Sequence, residues 1–141
     1  MLFPTGLHIA HGHVVTCEEA ARARGIPLEQ ELKTLLLMIG HWRVAVHIQG
    51  SDRLRRQPLR RLFRTHDIRF INRGELKAMG LERGIINPWN VPKSTVHVVC
   101  RRTLAHEVMG TNAGTFCDGI LFAPFALLEL QNLILGDIGC N

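Results

Sequence analysis

The 141-residue chain is poor in lysine, with three against fourteen arginines, and has no C-x-x-C pair and no long apolar run. Each absence excludes something. The longest apolar stretches, 35–39 and 120–128, fall well short of the ~18–20 residues that cross a bilayer. The N-terminus lacks a basic segment followed by an apolar core, so export is not expected and the cytoplasm is. Cys17, Cys100, Cys117 and Cys140 lie 83, 17 and 23 residues apart, which offers no metal knuckle or redox pair and leaves reduced thiols as the reading. No G-x-S-x-G elbow, H-E-x-x-H, Walker loop or G-x-G-x-x-G is present, so serine-hydrolase, zincin and nucleotide-binding readings have no support. What remains is an ordinary globular composition, 46% hydrophobic and 21% charged. Its length suits one domain over residues 1–141.

The charge is unevenly placed. Eight arginines fall between Arg53 and Arg73 against one acid, Asp67, so this window carries +7 and the rest of the chain −2. Such a stripe is the footprint expected of a polyphosphate partner, most simply RNA or DNA, although a merely solvated arginine face would read the same. Pro58 at a helix start, with Leu59, Leu62 and Phe63 as its apolar face, would turn Arg60, Arg61 and Arg64 toward water.

Local signals read as α+β. Thr16-Cys17-Glu18-Glu19 is a capping box for a helix over 17–24, closed by Gly25 and Pro27. Leu32 to Ile39 reads as a central strand, joined through Gly40-His41 to a second strand from Trp42 to Ile48. Ile68 to Ile71 reads as a short strand, and Asn72 to Glu75 caps a short helix stopped by Gly80. A surface loop follows over 84–93, then a strand over 95–100, two strands within 108–122, and a helix from Pro124 to Leu135 closed by Gly136. The expected architecture is one α+β domain with a mixed, mostly antiparallel sheet flanked by helices.

Four features could carry chemistry. Lys33 sits at the mouth of an apolar strand, where an ammonium must find an anion or snorkel to solvent. The loop Gly84-Ile85-Ile86-Asn87-Pro88-Trp89 could wall a small-ligand pocket or simply pack, and Trp89 could stack on a base. His8, His11 and His13 invite a zinc reading, with His11 and His13 on one strand face, but no acid is near in sequence and no metal is expected. Residues 109–115 are glycine-rich without the lysine and helix start that cradle phosphate.

Taken in order, Thr16 to Leu35, Gly50-Ser51-Asp52-Arg53 with Arg55, Glu75-Leu76 before Gly80, and the G-x-x-x-P loop Gly84 to Pro88 resemble the YbaK and prolyl-tRNA-synthetase-associated family of aminoacyl-tRNA deacylases. The resemblance covers roughly residues 13–130. It implies a single-domain hydrolase, acting in trans without metal or cofactor, that removes a small amino acid (alanine, serine or cysteine) wrongly attached to a tRNA such as that for proline. Lys33 would match the family's essential lysine, holding the terminal phosphate or the amino acid end. Gly84 and Pro88 would frame the loop that orients the aminoacyl group, and Gly114 would keep the pocket narrow. Ile85, Ile86, Asn87 and Trp89 would contact substrate, while Arg53, Arg55, Arg56, Arg60, Arg61 and Arg64 would bind tRNA. The ribose 2′-hydroxyl or a substrate thiol would assist attack, so no protein nucleophile is needed. Mischarged tRNA is the implied partner, with prolyl-tRNA synthetase a further candidate; no membrane is involved. Asn90 stands where many members carry glycine. Two other classes remain open: a non-catalytic RNA-binding module and a hydrolase of another small acyl ester.

Overall fold

A computed structural model describes residues 4–140 of the chain, without the side chain of Cys140. The expected domain ends at 1 and 141, and the state of Cys140, lie outside the described residues. The chain runs β1 (Gly6–Ala10), α1 (Cys17–Arg24), β2 (Leu32–Ile39), β3 (Trp42–Gln49), β4 (Arg53–Leu54), α2 (Arg56–Phe63), β5 (Ile68–Phe70) and α3 (Arg73–Ala78). It continues through β6 (Val96–Cys100), β7 (Met109–Asn112), β8 (Asp118–Phe122), β9 (Leu133–Gly136) and β10 (Gly139–Cys140), with 3-10 turns at Leu28–Gln30, Arg101–Ala105 and Pro124–Glu129.

Local chemistry explains most boundaries. Thr16 accepts from the Glu19 amide while the Glu19 carboxylate accepts from that of Thr16, and Gly25 at φ 71° ends α1. The same reciprocal box joins Asn72 and Glu75 at α3. Two expectations fail. Pro58 is the third residue of α2 rather than its start, and Leu62 on that helix is 44% exposed, so the buried face is carried by Leu59 with half-buried Phe63. The expected helix from Pro124 stops at Glu129 as a 3-10 turn: Asn132 reverses the chain at φ 55°, and Leu133 to Leu135 pair in parallel with His97 to Val99. A run of Leu and Ile suits either state, and the free edge of β6 selects strand.

The main sheet has the order β5-β2-β3-β6-β9, antiparallel on the β5 side and parallel on the β9 side. A second sheet, β1-β8-β7, is wholly antiparallel, and β4 pairs with β10. Period-2 alternation sorts the main sheet into two faces. On one, Leu37, Ile39, Val44, Val46, Ile48 and Val98 pack under Leu59 of α2. On the other, Leu32 and Val99 meet Met109, Ile120 and Phe122 of the second sheet, while Leu36 and Ala45 meet Leu76 of α3 and Ile86.

Between those two clusters lies a polar seam. Thr34 Oγ1 is hydrogen-bonded to His47 Nδ1 at 2.8 Å, and His47 Nε2 to His97 Nδ1 at 2.9 Å. His47 is fully buried, and burial lowers the pKa of both rings, that of His97 to about 4, so the seam is neutral at physiological pH.

One more feature positions the site. β5 pairs only with Leu37 to Ile39, and the Ile71 amide donates to the Leu36 carbonyl as the last contact on that side. From Leu32 to Leu36 this edge of β2 has no strand partner among the described residues. The Leu32 carbonyl accepts from the Thr111 hydroxyl, and strand alternation turns the N–H and C=O of Thr34 to the same open edge.

The buried histidines give stability a pH dependence with a defined sign. Their folded pKa values lie below the ordinary value of 6.5, so the unfolded chain binds more protons and stability falls as pH drops from 6.5 toward 4. Urea midpoints across that range are expected to decline, and a His97→Gln variant to decline less steeply. A variant with the wild-type slope would place the titration elsewhere.

Candidate active site

The open edge of β2 forms the floor of a cavity of about 310 Å³ whose wall includes Cys17, Lys33, Thr34, Gly84, Ile86 and Phe116. Lys33 is half-buried. Its ammonium donates to the backbone carbonyls of Gly50, at 3.5 Å, and of Asp52. Those carbonyls are fixed by their own neighbours: the Gly50 amide donates to the Glu31 carbonyl at 2.5 Å, and Asp52 is 1% exposed with its carboxylate held by Arg102 in a two-point contact. A Cβ at Gly50 would press on Leu28 and Cys17 at 3.0–3.2 Å. The Gly50-Ser51-Asp52 segment therefore acts as a bracket for the lysine, and Arg102 neutralises the carboxylate that would otherwise compete for it. Two of the three ammonium hydrogens are used, which leaves one for an incoming anion or carbonyl.

Burial pushes the Cys17 thiol upward, against a lowering by Lys33, so Cys17 stays protonated and is a poor nucleophile. Behind it, the buried Arg24 and Glu31 form an ion pair, and Arg24 also donates to the Asp118 carbonyl at 3.1 Å. Burial pushes the Glu31 carboxyl up and the Arg24 guanidinium down, and the charge of each opposes the shift of the other. This pair ties α1 to β2 and to the second sheet.

The 84–90 loop is held by three asparagines. Asn87, fully buried, donates from Nδ2 to the Asn112 carbonyl and Oδ1 at 3.3 Å, and its Oδ1 accepts from the Trp89 amide at 2.8 Å. Asn112 Nδ2 donates to the Ile86 carbonyl at 2.9 Å, and Asn90 spans the loop from the Asn87 amide to the Ile85 carbonyl, both at 2.8 Å. The side chain at position 90, where many members of the resembled family have glycine, is thus a brace. Gly84 needs to be glycine twice over: its φ is 91°, and a Cβ would lie 3.0 Å from the Phe116 ring.

Of the residues singled out by sequence, Lys33, Gly84 and Ile86 meet in the cavity. Ile86 is also core, 5% exposed against Leu36, Ala45 and Leu76. Asn87 and Pro88 are buried behind the wall, and half-buried Trp89 packs edge-on against Phe122 with centroids 5.1 Å apart. They shape the loop, and none of the three lines the cavity. Ile85 is half-buried at the loop's turn. Gly114 is not among the residues that line the cavity, though its neighbours Asn112 and Thr115 are, and its φ of 99° favours glycine. His11 and His13 lie beyond the end of β1 rather than on one strand face, and His13 packs on Phe116 at 5.1 Å with the Glu19 carboxylate near enough to feel its charge.

The arginine stripe surrounds α2, on the sheet face opposite α3. Arg53, Arg55, Arg56, Arg61 and Arg64 are exposed, but Arg60 is half-buried with its Nε shielded from water. Sequence reading missed Arg24, Glu31, Asp52, Arg102 and Asn112, whose roles come from partners 7 to 94 residues away.

The family described as aminoacyl-tRNA editing domain matches residues 11–115. The proline–tRNA ligase of Xanthomonas campestris pv. campestris strain 8004 is 26% identical over 132 residues, covering 86% of this chain and 23% of that protein. That of Xanthomonas axonopodis pv. citri strain 306 is 28% identical over the same extent. The chain therefore spans about a quarter of the length of these relatives. Among solved structures, the hypothetical protein APE2540 superimposes with a TM-score of 0.87 at 24% identity, over 96% of this chain and 92% of that one. A proposed trans-editing enzyme for prolyl tRNA synthetase does so at 0.86 and 20% identity, over 95% and 86%. At these identities the structural likeness shows the fold.

Asn112 is the joint of the loop. Asn112→Ala removes the brace to the buried Ile86 carbonyl and one of the two acceptors of Asn87 Nδ2, the bond to the Asn112 backbone carbonyl remaining, at a cost of about 1–3 kcal/mol. Denaturant melts should show that loss, and hydrogen exchange should rise over residues 84–90. Unchanged exchange there would mean the loop is held by its packing alone.

Proposed function

This chain belongs to the aminoacyl-tRNA editing domain family and is an aminoacyl-tRNA deacylase, and on that premise we propose that its substrate is a tRNA carrying a wrongly attached small amino acid. The reaction adds water to the ester carbonyl, breaks the bond to the ribose oxygen, and returns a proton to that oxygen. Free amino acid and reusable tRNA result. An aminoacyl ester is already activated, so positioning and carbonyl polarisation can supply much of the acceleration. The ribose 2′-hydroxyl, or a substrate thiol, assists the attack, which suits a cavity whose own thiol is held protonated by burial.

The observation that carries this reading is the Lys33 ammonium in a small walled cavity, held by carbonyls rather than by a carboxylate. Its charge is kept available for an anionic or polarised oxygen, the terminal phosphate or the ester itself. A preference for alanine, serine or cysteine would rest on the walls that Ile86 and Phe116 present to the side chain rather than on the cavity's total volume. A steric wall rejects a larger side chain more strongly than an attractive pocket, limited to ~1–3 kcal/mol per methylene, could distinguish a smaller one. The relation to proline–tRNA ligases supports tRNA for proline as the acceptor and the synthetase as a functional partner, with this chain editing in trans in the cytoplasm. The α2 arginines would hold phosphates of the acceptor arm without reading sequence.

Two variants test the reading. Lys33→Ala is expected to reduce single-turnover ester cleavage by about 100-fold or more, the scale for losing one charged stabiliser, with tRNA binding retained. Lys33→Arg should rescue poorly because the planar fork fits the Gly50 and Asp52 carbonyls differently. Wild-type turnover in Lys33→Ala would remove the lysine from the chemistry. Ile86→Ala should cost about 2–5 kcal/mol of stability and admit a bulkier ester; an unchanged substrate ranking would mean another residue sets the size limit.

A further inference from the structure

The cavity does not end at its wall. Thr34, Leu35, Arg83, Gly84 and Ile86 also line a second, larger groove of about 970 Å³ that runs along the open edge of β2 toward β5 and α3. Its rim is basic. Arg73, Lys77 and Arg83 are exposed, none forms an ion pair among the described residues, and they come from α3 (Arg73 and Lys77) and the loop that follows it (Arg83). The acids nearby are largely spent. Glu75 is clasped by Arg69 through two bonds of 2.7 and 3.0 Å, which holds its carboxyl down at about 2, so Glu82 alone opposes three cations in the lining.

At the far end stands Phe70, 42% exposed, with the Arg56 guanidinium 5.7 Å from its ring centroid. Arg56 is the first residue of α2, so the groove joins the reaction cavity to the arginine stripe across the sheet edge.

We propose that this groove seats the single-stranded 3′ end of the tRNA, with its phosphates on Arg73, Lys77 and Arg83 and a base against Phe70. The inference rests on the deacylase reading above for its ligand and extends it to residues outside the arginine stripe. The chemistry fits the partner. Single strands are bound by a cationic trough that follows the backbone, together with an exposed aromatic face on which a base stacks. The esterified ribose is the last residue of such a strand, so the trough must open into the cavity that holds Lys33, as this one does. A double-stranded stem would need a broader surface, which the α2 face offers and the groove does not.

The test compares binding of uncharged tRNA with that of the same tRNA lacking its unpaired 3′ nucleotides, across a salt series. Wild type is expected to bind the intact tRNA more tightly. The triple variant Arg73→Ala, Lys77→Ala, Arg83→Ala should lose that preference, with the log-log salt slope for intact tRNA reduced by about 2, three single-strand contacts at ~0.7 each. Phe70→Ala should weaken intact tRNA about tenfold while leaving the slope unchanged, because stacking releases no counterion. All four side chains are exposed, so urea midpoints should stay at the wild-type value and separate lost binding from lost fold. A wild type indifferent to the 3′ end, or a triple variant with the wild-type preference and slope, overturns the proposal. Failure of the deacylase reading looks different: tight, 3′-dependent binding by wild type with no ester cleaved would sink that reading and leave the groove standing.

Discussion

The organising constraint is a strand paired on one side along its whole length and on the other along less than half. β2 is fully registered with β3, yet β5 reaches only Leu37 to Ile39, so Leu32 to Leu36 keep an open edge. In a buried sheet an unpaired edge is a liability that proteins normally cover. Here the loop after α3, Asn112 and the start of α1 close around it without pairing with it, and the space they leave is the cavity. The same edge continues outward as the basic groove. Cavity and groove are therefore consequences of where β5 stops.

That arrangement explains how the site can work without a catalytic triad. The polar groups nearest the edge are mostly settled by internal partners: Asp52 by Arg102, Glu31 by Arg24, and Thr34 by a neutral histidine seam. The Lys33 ammonium is left with carbonyl partners, which orient it without neutralising it. A preoriented charge in a small, partly dry cavity stabilises developing negative charge at little reorganisation cost. Shape comes from Ile86 and the glycine at 84, whose φ of 91° favours glycine and whose missing Cβ leaves room for the Phe116 ring.

Much of this was legible in the sequence, for reasons that differ by element. The capping boxes at Thr16 and Asn72, the β2-β3 hairpin and the loop at 84–93 are written in contiguous residues, and local rules suffice. Leu133 to Leu135 were misread because an apolar run has no preferred period; the partner strand β6 decides it. Lys33 could be singled out as an ammonium in an apolar strand, but not the bracket that orients it, since Asp52 meets Arg102 across fifty residues. Gly114 and Trp89 are conspicuous in sequence and have in the fold a backbone or packing reason of their own, a φ of 99° and an edge-on contact with Phe122. The arginine stripe was obvious as a run, whereas Arg73, Lys77 and Arg83 form one rim only after α3 and its following loop have folded.

The central claim is that the edge cavity hydrolyses small aminoacyl esters and excludes large ones. The direct measurement is release of labelled amino acid by this chain from tRNA for proline charged with alanine, serine, cysteine or proline. The account requires cleavage of at least one of the small esters at a rate well above that of the proline ester. Equal cleavage of all four would refute size exclusion, and stable esters throughout, on tRNA that the protein binds, would contradict the claim altogether.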